Sequence, residues 1–366
     1  MFDYSLKNAK SFAVYVQNIL HLVAMCKLFC MHTAPILLIF LFFYAMINKK
    51  ILEMTMTHKY TDTKIFFLMI LATFFWAGAF IAAKLGVYEL SPIILTFLRM
   101  GIAAVIIFPY MMLQLKGSWK LKKVEFSYIL ATAIIGMIGY HMFFFTALKY
   151  TTASKASMIN ASNPLMTAVL AGVFANEKLT PKKIGMLMLA LFGVTYIIMA
   201  GNIQTLLQMQ FNKGDLIMLC GTLMWAIYGI IVKKAVKFIT PLKLTTYTFL
   251  TSALLTMPFA LYDFIKTDAL SVGLNPYLAV IYMAIFPTVL GYSIQQLAIS
   301  QIGPSKASLF INLVPIISTV FAVLFLNETI ALYHVIGASL IIIAVIVYNL
   351  DGYKAKLSVS NTDSNL

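Results

Sequence analysis

Ser154-Lys155-Ala156-Ser157 and Ser305-Lys306-Ala307-Ser308 are the same four residues, 151 positions apart. At that offset Pro164 meets Pro315, Asn176-Glu177 meets Asn327-Glu328, and Ala147 meets Ala298. Earlier in each half the offset is 149: Trp76 with Trp225, Lys84 with Lys233, Pro92 with Pro241, and Pro109 with Pro258. One or two single-residue indels reconcile these blocks. The chain is therefore a duplication of about 150 residues, with repeats over 64–201 and 213–350. An N-terminal extension (1–63) and a polar tail (351–366) flank them.

What is duplicated is membrane. Of 366 residues, 61% are hydrophobic and 11% charged, and the mean hydropathy is +0.91. A soluble domain carries about 25% charged residues. A spanning helix takes about 20 apolar residues, so the apolar fraction fills ten or so spans and leaves little for a separate soluble domain. Apolar runs fall at about 65–83, 92–114, 127–148, 154–175, 182–200, 215–232, 242–262, 277–299, 305–326 and 331–350. They are too long and continuous for barrel strands, which makes this an all-α polytopic membrane protein with ten transmembrane helices. Ala34–Ile47 is an uninterrupted apolar stretch of 14 residues. It reads either as an extra, signal-anchor-like N-terminal helix or as an upstream extension with Met54 or Met56 as the start.

Lysine placement orients the bundle, because cytoplasmic loops carry the excess of Lys and Arg. Lys49, Lys50, Lys59 and Lys64 before the first helix, with the lysines of the even-numbered connections and the tail, make 18, against 5 (Lys84, Lys149, Lys155, Lys213 and Lys266) on the opposite side. Both ends of the ten-helix unit are thereby placed in the cytoplasm, in a cell (plasma) membrane. Five helices per repeat is an odd number, so the second copy must enter the bilayer from the other side. The charges agree. Lys178, Lys182 and Lys183 follow Glu177, whereas no lysine follows Glu328 before the next helix. Lys84 stands alone, whereas Lys234, Lys237 and Lys243 follow its mate Lys233. Inverted five-helix repeats are an architecture of secondary transporters, with the substrate held between the halves near the midplane.

The residues also resemble a known family. Trp76-Ala-Gly-Ala-Phe-Ile-Ala-Ala-Lys84 is similar to the first-helix signature of the EamA family of the drug/metabolite transporter superfamily, as is Ser91-Pro92 through Arg99 in the second helix. Ala147 through Ser157, with Pro164 and Glu177, resembles its third-to-fourth-helix block. Gly303-Pro-Ser-Lys-Ala-Ser308, Pro315 and Glu328 repeat that block. The resemblance covers about residues 64–350 and implies a ten-helix exporter or exchanger of small metabolites, often amino acids, with a central cavity.

Arg99 is the only arginine in the chain. A guanidinium inside a span is costly and must face protein or water, which makes it a candidate site by default. Its planar fork suits a carboxylate or phosphate. The alternative is a structural pairing with backbone carbonyls or a headgroup. Its repeat mate is Thr248, so the charge is asymmetric. Ser157, Asn160, Pro164 and Thr167 form one stripe on the fourth helix, and Ser305, Ser308, Asn312, Pro315 and Thr319 form its counterpart on the ninth. Paired prolines interrupt helices where transporters bind substrate, although small polar residues also let helices approach closely. Trp76 and Trp225 are mid-helix repeat mates that either line a cavity or pack the core. Tyr140 and His141 are repeat-mated with Tyr292 and Ser293, and Gln295 and Gln296 follow. With Asn163, these residues are the candidate substrate-binding set. His141 reads as a hydrogen-bonded packing group, the common fate of a lone buried histidine. Lys84, Lys155, Lys233 and Lys306 are expected to snorkel. Glu177 and Glu328 are expected to pair with a neighbouring helix or loop, with gating as the sharper alternative.

No Asp or Glu falls in the middle third of any span, and a proton- or sodium-driven carrier usually keeps a carboxylate there. Uncoupled export or exchange is the expectation, moving a small polar molecule, amino acid-like, zwitterionic or anionic. A nucleotide-linked or phosphate-ester exchanger would call for more than one cavity cation. An intramembrane enzyme would need a base within reach of a nucleophile. No cofactor, metal or nucleic-acid partner is expected, and the partners are a small-molecule substrate and the lipid bilayer. The basic residues lie in short runs between apolar stretches rather than on one soluble face. Monomer and homodimer are equally compatible with the sequence.

Overall fold

A computed structural model describes residues 62–115, 120–174, 181–208, 211–302 and 310–363. The extension with its Ala34–Ile47 stretch, Glu177, and Ser305 through Ser308 lie outside the described residues. Among the described residues there is no strand. The helices are α1 (Asp62–Gly86), α2 (Pro92–Leu115), α3 (Lys123–Tyr150), α4 (Ala153–Asn160), α5 (Asn163–Phe174) and α6 (Pro181–Ile198). They continue as α7 (Ile203–Leu207), α8 (Lys213–Ala235), α9 (Pro241–Lys266), α10 (274–302), α11 (Val314–Leu326) and α12 (Leu332–Asp363).

Six of these helices are long and apolar enough to cross a membrane: α1, α2, α3, α8, α9 and α10. Three shorter apolar stretches, Ile184–Ile198, Val314–Leu326 and Leu332–Val347, lie in α6, α11 and α12. The fourth apolar run is not one helix. It breaks at Ala161 and Ser162, just before Pro164, into α4 and α5. Asn312 and Leu313 break the ninth run at the repeat-equivalent place, just before Pro315. Proline lacks the N–H that would continue the ladder and crowds the preceding turn, so both runs part there.

Helix packing is reciprocal between the repeats. Each repeat's second helix packs on the other's (α2 on α9), and the fifth helices do likewise (α6 on α12). The first helix of repeat one, α1, packs on α10 and α11 of repeat two. In return α8, the first of repeat two, packs on α3, α4 and α5. Met100, Ala103 and Ile107 of α2 meet Phe249 and Ala253 of α9 in one buried cluster. Outward-facing side chains are as apolar as the core, including Val105, Leu113, Leu254, Phe259 and Ile265. Exposed apolar faces on this scale suit lipid rather than water. This is a multi-pass membrane protein.

Glycine sets two of the close approaches. A Cβ on Gly78 of α1 would lie 2.2 Å from Tyr282 Oη of α10, and one on Gly136 of α3 would lie 2.1 Å from Tyr228 Cδ2 of α8. In each case a tyrosine of repeat two fills the hollow left by a missing side chain of repeat one.

Candidate functional site

The third helix of each repeat changes its hydrogen-bonding mid-course. Thr132–Tyr140 in α3 and Ala284–Gly291 in α10 are π-helical, at equivalent positions of the duplication. A π turn widens the helix and frees carbonyls, and such turns gather at functional sites. In α10 the cause is Pro287, which cannot donate to Met283 O four residues back. Thr288 takes its place: its Oγ1 donates to Met283 O at 2.7 Å. The hydroxyl's free lone pair then accepts from Arg99 Nε at 2.9 Å. Thr248, the repeat mate of Arg99, shares a hydrogen bond with Thr132 Oγ1 of repeat one at 2.8 Å, one turn before Gly136, the residue that matches Thr288. In both halves a second-helix side chain thus meets the π stretch of the other repeat's third helix, once with a charge and once without.

Arg99 is 5% exposed, and no Asp or Glu pairs with it among the described residues. It lines a cavity of about 120 Å³, formed by α1, α2, α3, α4, α8 and α10 together with residues 311–315. By the usual measure that space holds on the order of ten waters, or a molecule with a similar number of heavy atoms. Its polar lining comes from Arg99, His141, Ser157, Asn160 and Gln295, and no carboxylate lines it among the described residues. One wall is aromatic. Trp225 lies 4.7 Å from the Tyr140 ring and 6.2 Å from Tyr292, and Phe144 stacks on Tyr140 at 5.7 Å. On the opposite wall Trp76 Nε1 donates to Pro287 O at 3.1 Å, so the same proline-bearing stretch orients both Trp76 and, through Thr288, Arg99. A guanidinium without a carboxylate, in a pocket of indole and phenol faces, is suited to a small anion-bearing molecule.

A polar cluster lies one helical turn from the cavity lining. Phe80 and Ser157 line the cavity, and one turn beyond them sit Lys84 and Ser154. Lys84 Nζ donates to Leu148 O (2.6 Å) and Thr151 O (2.8 Å), closing the end of α3 with the end of α1. Asp215, in the first turn of α8, accepts from Thr151 Oγ1 and lies 3.5 Å from Lys155 Nζ. Glu328, just past α11, caps α4: Oε1 accepts from Ala153 N at 2.7 Å, and Oε2 from Ser154 N at 3.1 Å and from Ser154 Oγ. A carboxylate on the first amides of a helix is a favourable partner for the helix dipole. At the other end of α3 a second buried pair, Glu125 with Lys243 at 2.9 Å, ties α3 to α9.

The EamA-like transporter family matches residues 63–199 and 212–350. The chain belongs to this family. Among the relatives of this EamA-like transporter is the "Uncharacterized transporter YyaM" of Bacillus subtilis (strain 168), 35% identical over 285 residues, which cover 76% of this chain and 92% of the relative. A "Probable amino-acid metabolite efflux pump" of Salmonella typhimurium is 25% identical over 299 residues, 79% of this chain and 96% of that protein. A solved crystal structure aligns with a TM-score of 0.54 over 79% of this chain and 98% of that one, at 19% identity, a likeness of fold alone. A transporter, rather than an enzyme, is what the family and these names describe.

Of the candidate residues, this EamA-like transporter brings Arg99, Trp76, Tyr140, His141, Asn160, Trp225, Tyr292 and Gln295 around the cavity, with Pro315 at its edge. Asn163 and Asn312 are not in the lining. The break at Ala161 and Ser162 puts Asn163 in a separate helix, where its Nδ2 donates to Thr222 O at 3.0 Å. Asn312 is buried, its Nδ2 without a hydrogen-bond partner. Gln296 lies in α10, and Pro164 in the first turn of α5. Lys84 turns inward onto carbonyls rather than outward to headgroups. Thr288 escapes a sequence reading, since a threonine in an apolar helix ordinarily bonds its own backbone. Its place directly after Pro287 is the signal that marks it.

Proposed function

We propose that this chain is a secondary transporter that moves a small carboxylate-bearing metabolite across the plasma membrane by alternating access. The substrate is an amino acid or a related zwitterion or anion, carried by uncoupled export or exchange. Arg99 carries this reading: a sole arginine, buried, aimed into the central cavity by Thr288 and with no acidic partner among the described residues. A guanidinium kept unpaired at this depth is expensive, and a substrate carboxylate offsets that cost.

Ten spans in two inverted five-helix repeats, with the C terminus in the cytoplasm, complete the proposal. The reciprocal packing, the matched π stretches and the matched breaks support a twofold relation. The odd helix number and the 18-to-5 lysine split support its inversion. Two such halves exchange conformations to open the cavity to either side. The name of the Salmonella typhimurium relative agrees with amino-acid-like cargo.

The test is metabolite profiling of medium and cells with and without the protein, followed by Arg99→Gln. Loss of the exported carboxylate with the variant, at unchanged protein yield and monodispersity, is the expected result. Unchanged flux would return Arg99 to a structural role.

A further inference from the structure

Both π stretches finish in a side chain that turns back onto the backbone. In α3, His141 Nδ1 hydrogen-bonds Met137 O at 2.8 Å. In α10, at the repeat-equivalent position, Ser293 Oγ donates to Val289 O at 2.6 Å. The structural task is the same in both halves, and a serine is enough to perform it. A histidine at this place is therefore more than the helix requires.

What it adds is a second ring nitrogen. A carbonyl only accepts, so Nδ1 carries the proton, and in the neutral ring Nε2 is left as a lone-pair acceptor. His141 is 1% exposed and lines the cavity that Arg99 lines. The other side-chain acceptors of the lining are the neutral oxygens of Ser157, Asn160 and Gln295; no carboxylate is in it among the described residues, and Asn160 Oδ1 has Thr222 Oγ1 3.5 Å away. The Tyr140 ring meets His141 edge-on at 5.0 Å and Trp225 at 4.7 Å, which holds the imidazole against the aromatic wall. A donor at one point, an acceptor at another and π faces between them match a molecule with a carboxylate and an ammonium group.

We propose that His141 is the second recognition point of the cavity: its Nε2 accepts an N–H from the substrate's ammonium while Arg99 holds the carboxylate. The cavity then selects 2-amino acids and related zwitterions over carboxylates of the same shape. This rests on the reading that Arg99 binds a carboxylate.

The experiment uses the full chain in proteoliposomes preloaded with an equimolar mixture of the twenty L-amino acids. Uptake of the tritiated mixture is competed by each amino acid and by its 2-oxo acid, which keeps the chain and the carboxylate but replaces the ammonium with a carbonyl. In the wild type the 2-oxo acids compete at least about tenfold less well, the worth of one charge-assisted hydrogen bond. His141→Ser keeps a hydroxyl for Met137 O, as Ser293 does for Val289 O, but removes the acceptor. It should bring the two classes within about threefold by weakening the amino acids. Should His141→Ser not fold, His141→Met loses the discrimination and His141→Gln, which retains an acceptor, preserves it. A wild-type ratio in His141→Ser or His141→Met overturns the proposal. So do 2-oxo acids that compete equally in the wild type; if Arg99→Gln then still abolishes exchange, the carboxylate reading stands without it. Exchange no greater than in protein-free vesicles overturns both.

Discussion

Thr288→Val separates the positioning of Arg99 from its presence. Valine keeps the shape of threonine and deletes the hydroxyl, and Oγ1 makes two contacts: it accepts from Arg99 Nε at 2.9 Å and donates to Met283 O at 2.7 Å. The first is a hydrogen bond to a charged group, worth about 1.5–3 kcal/mol. At about 1.4 kcal/mol per decade, an Arg99 freed from it should weaken substrate binding about 10- to 100-fold. Losing the second removes a side-chain hydrogen bond from a carbonyl that the π ladder still bonds, a further cost of about 0.5–1.5 kcal/mol to the fold. The assay is amino-acid exchange in proteoliposomes, read as KM and kcat, alongside the thermal midpoint in detergent. Thr288→Val should raise KM by one to two decades with a lowered midpoint. Thr288→Ser keeps both contacts and should stay within about threefold of wild type. A wild-type KM in Thr288→Val would refute the role of Thr288, since a guanidinium placed equally well without it owes its position to something else.

Gly136→Ala puts a methyl 2.1 Å from Tyr228 Cδ2, inside the ring itself, so α3 and α8 must separate; a cost of about 1–3 kcal/mol is expected, visible as a lower midpoint that Tyr228→Ala restores. Lys243→Met strands the carboxylate of Glu125 in a site where both partners are buried, and breaking such a pair costs about 3–5 kcal/mol. The double variant Glu125→Gln/Lys243→Met should recover most of the loss in a thermal unfolding series, and a double variant as unstable as the single one would refute the pairing.

The chain carries most of its architecture in the open. Apart from the breaks at 161–162 and 312–313, the turn at 199–200 and Ala331, each apolar run is helical over its described residues, because continuous apolar composition admits no other element in lipid. The break before Pro164 and Pro315 follows from the missing amide. The cavity residues are legible wherever a polar or aromatic side chain interrupts an apolar run, as Arg99, Trp76, Tyr140 and Asn160 do. What is not legible depends on a partner far away in the chain. Lys84 looks like a snorkelling lysine until the carbonyls of Leu148 and Thr151 are set beside it. The π stretches have the composition of any apolar helix, so nothing local announces the carbonyls they free. Asn163 is three residues from Asn160, and across the break both meet Thr222, Asn160 at its hydroxyl and Asn163 at its carbonyl, yet only Asn160 lines the cavity.

The cap on α4 has a consequence for how the protein is made. The amides of Ala153 and Ser154 are closed by a carboxylate about 175 residues further along the chain. A ribosome that has delivered the whole first repeat has therefore not delivered what finishes it, and α4 waits with open donors through the synthesis of most of the second. Trp76 and Arg99 wait similarly for the Pro287–Thr288 step. The two halves descend from one unit but are no longer self-sufficient: each repeat is completed only by its copy.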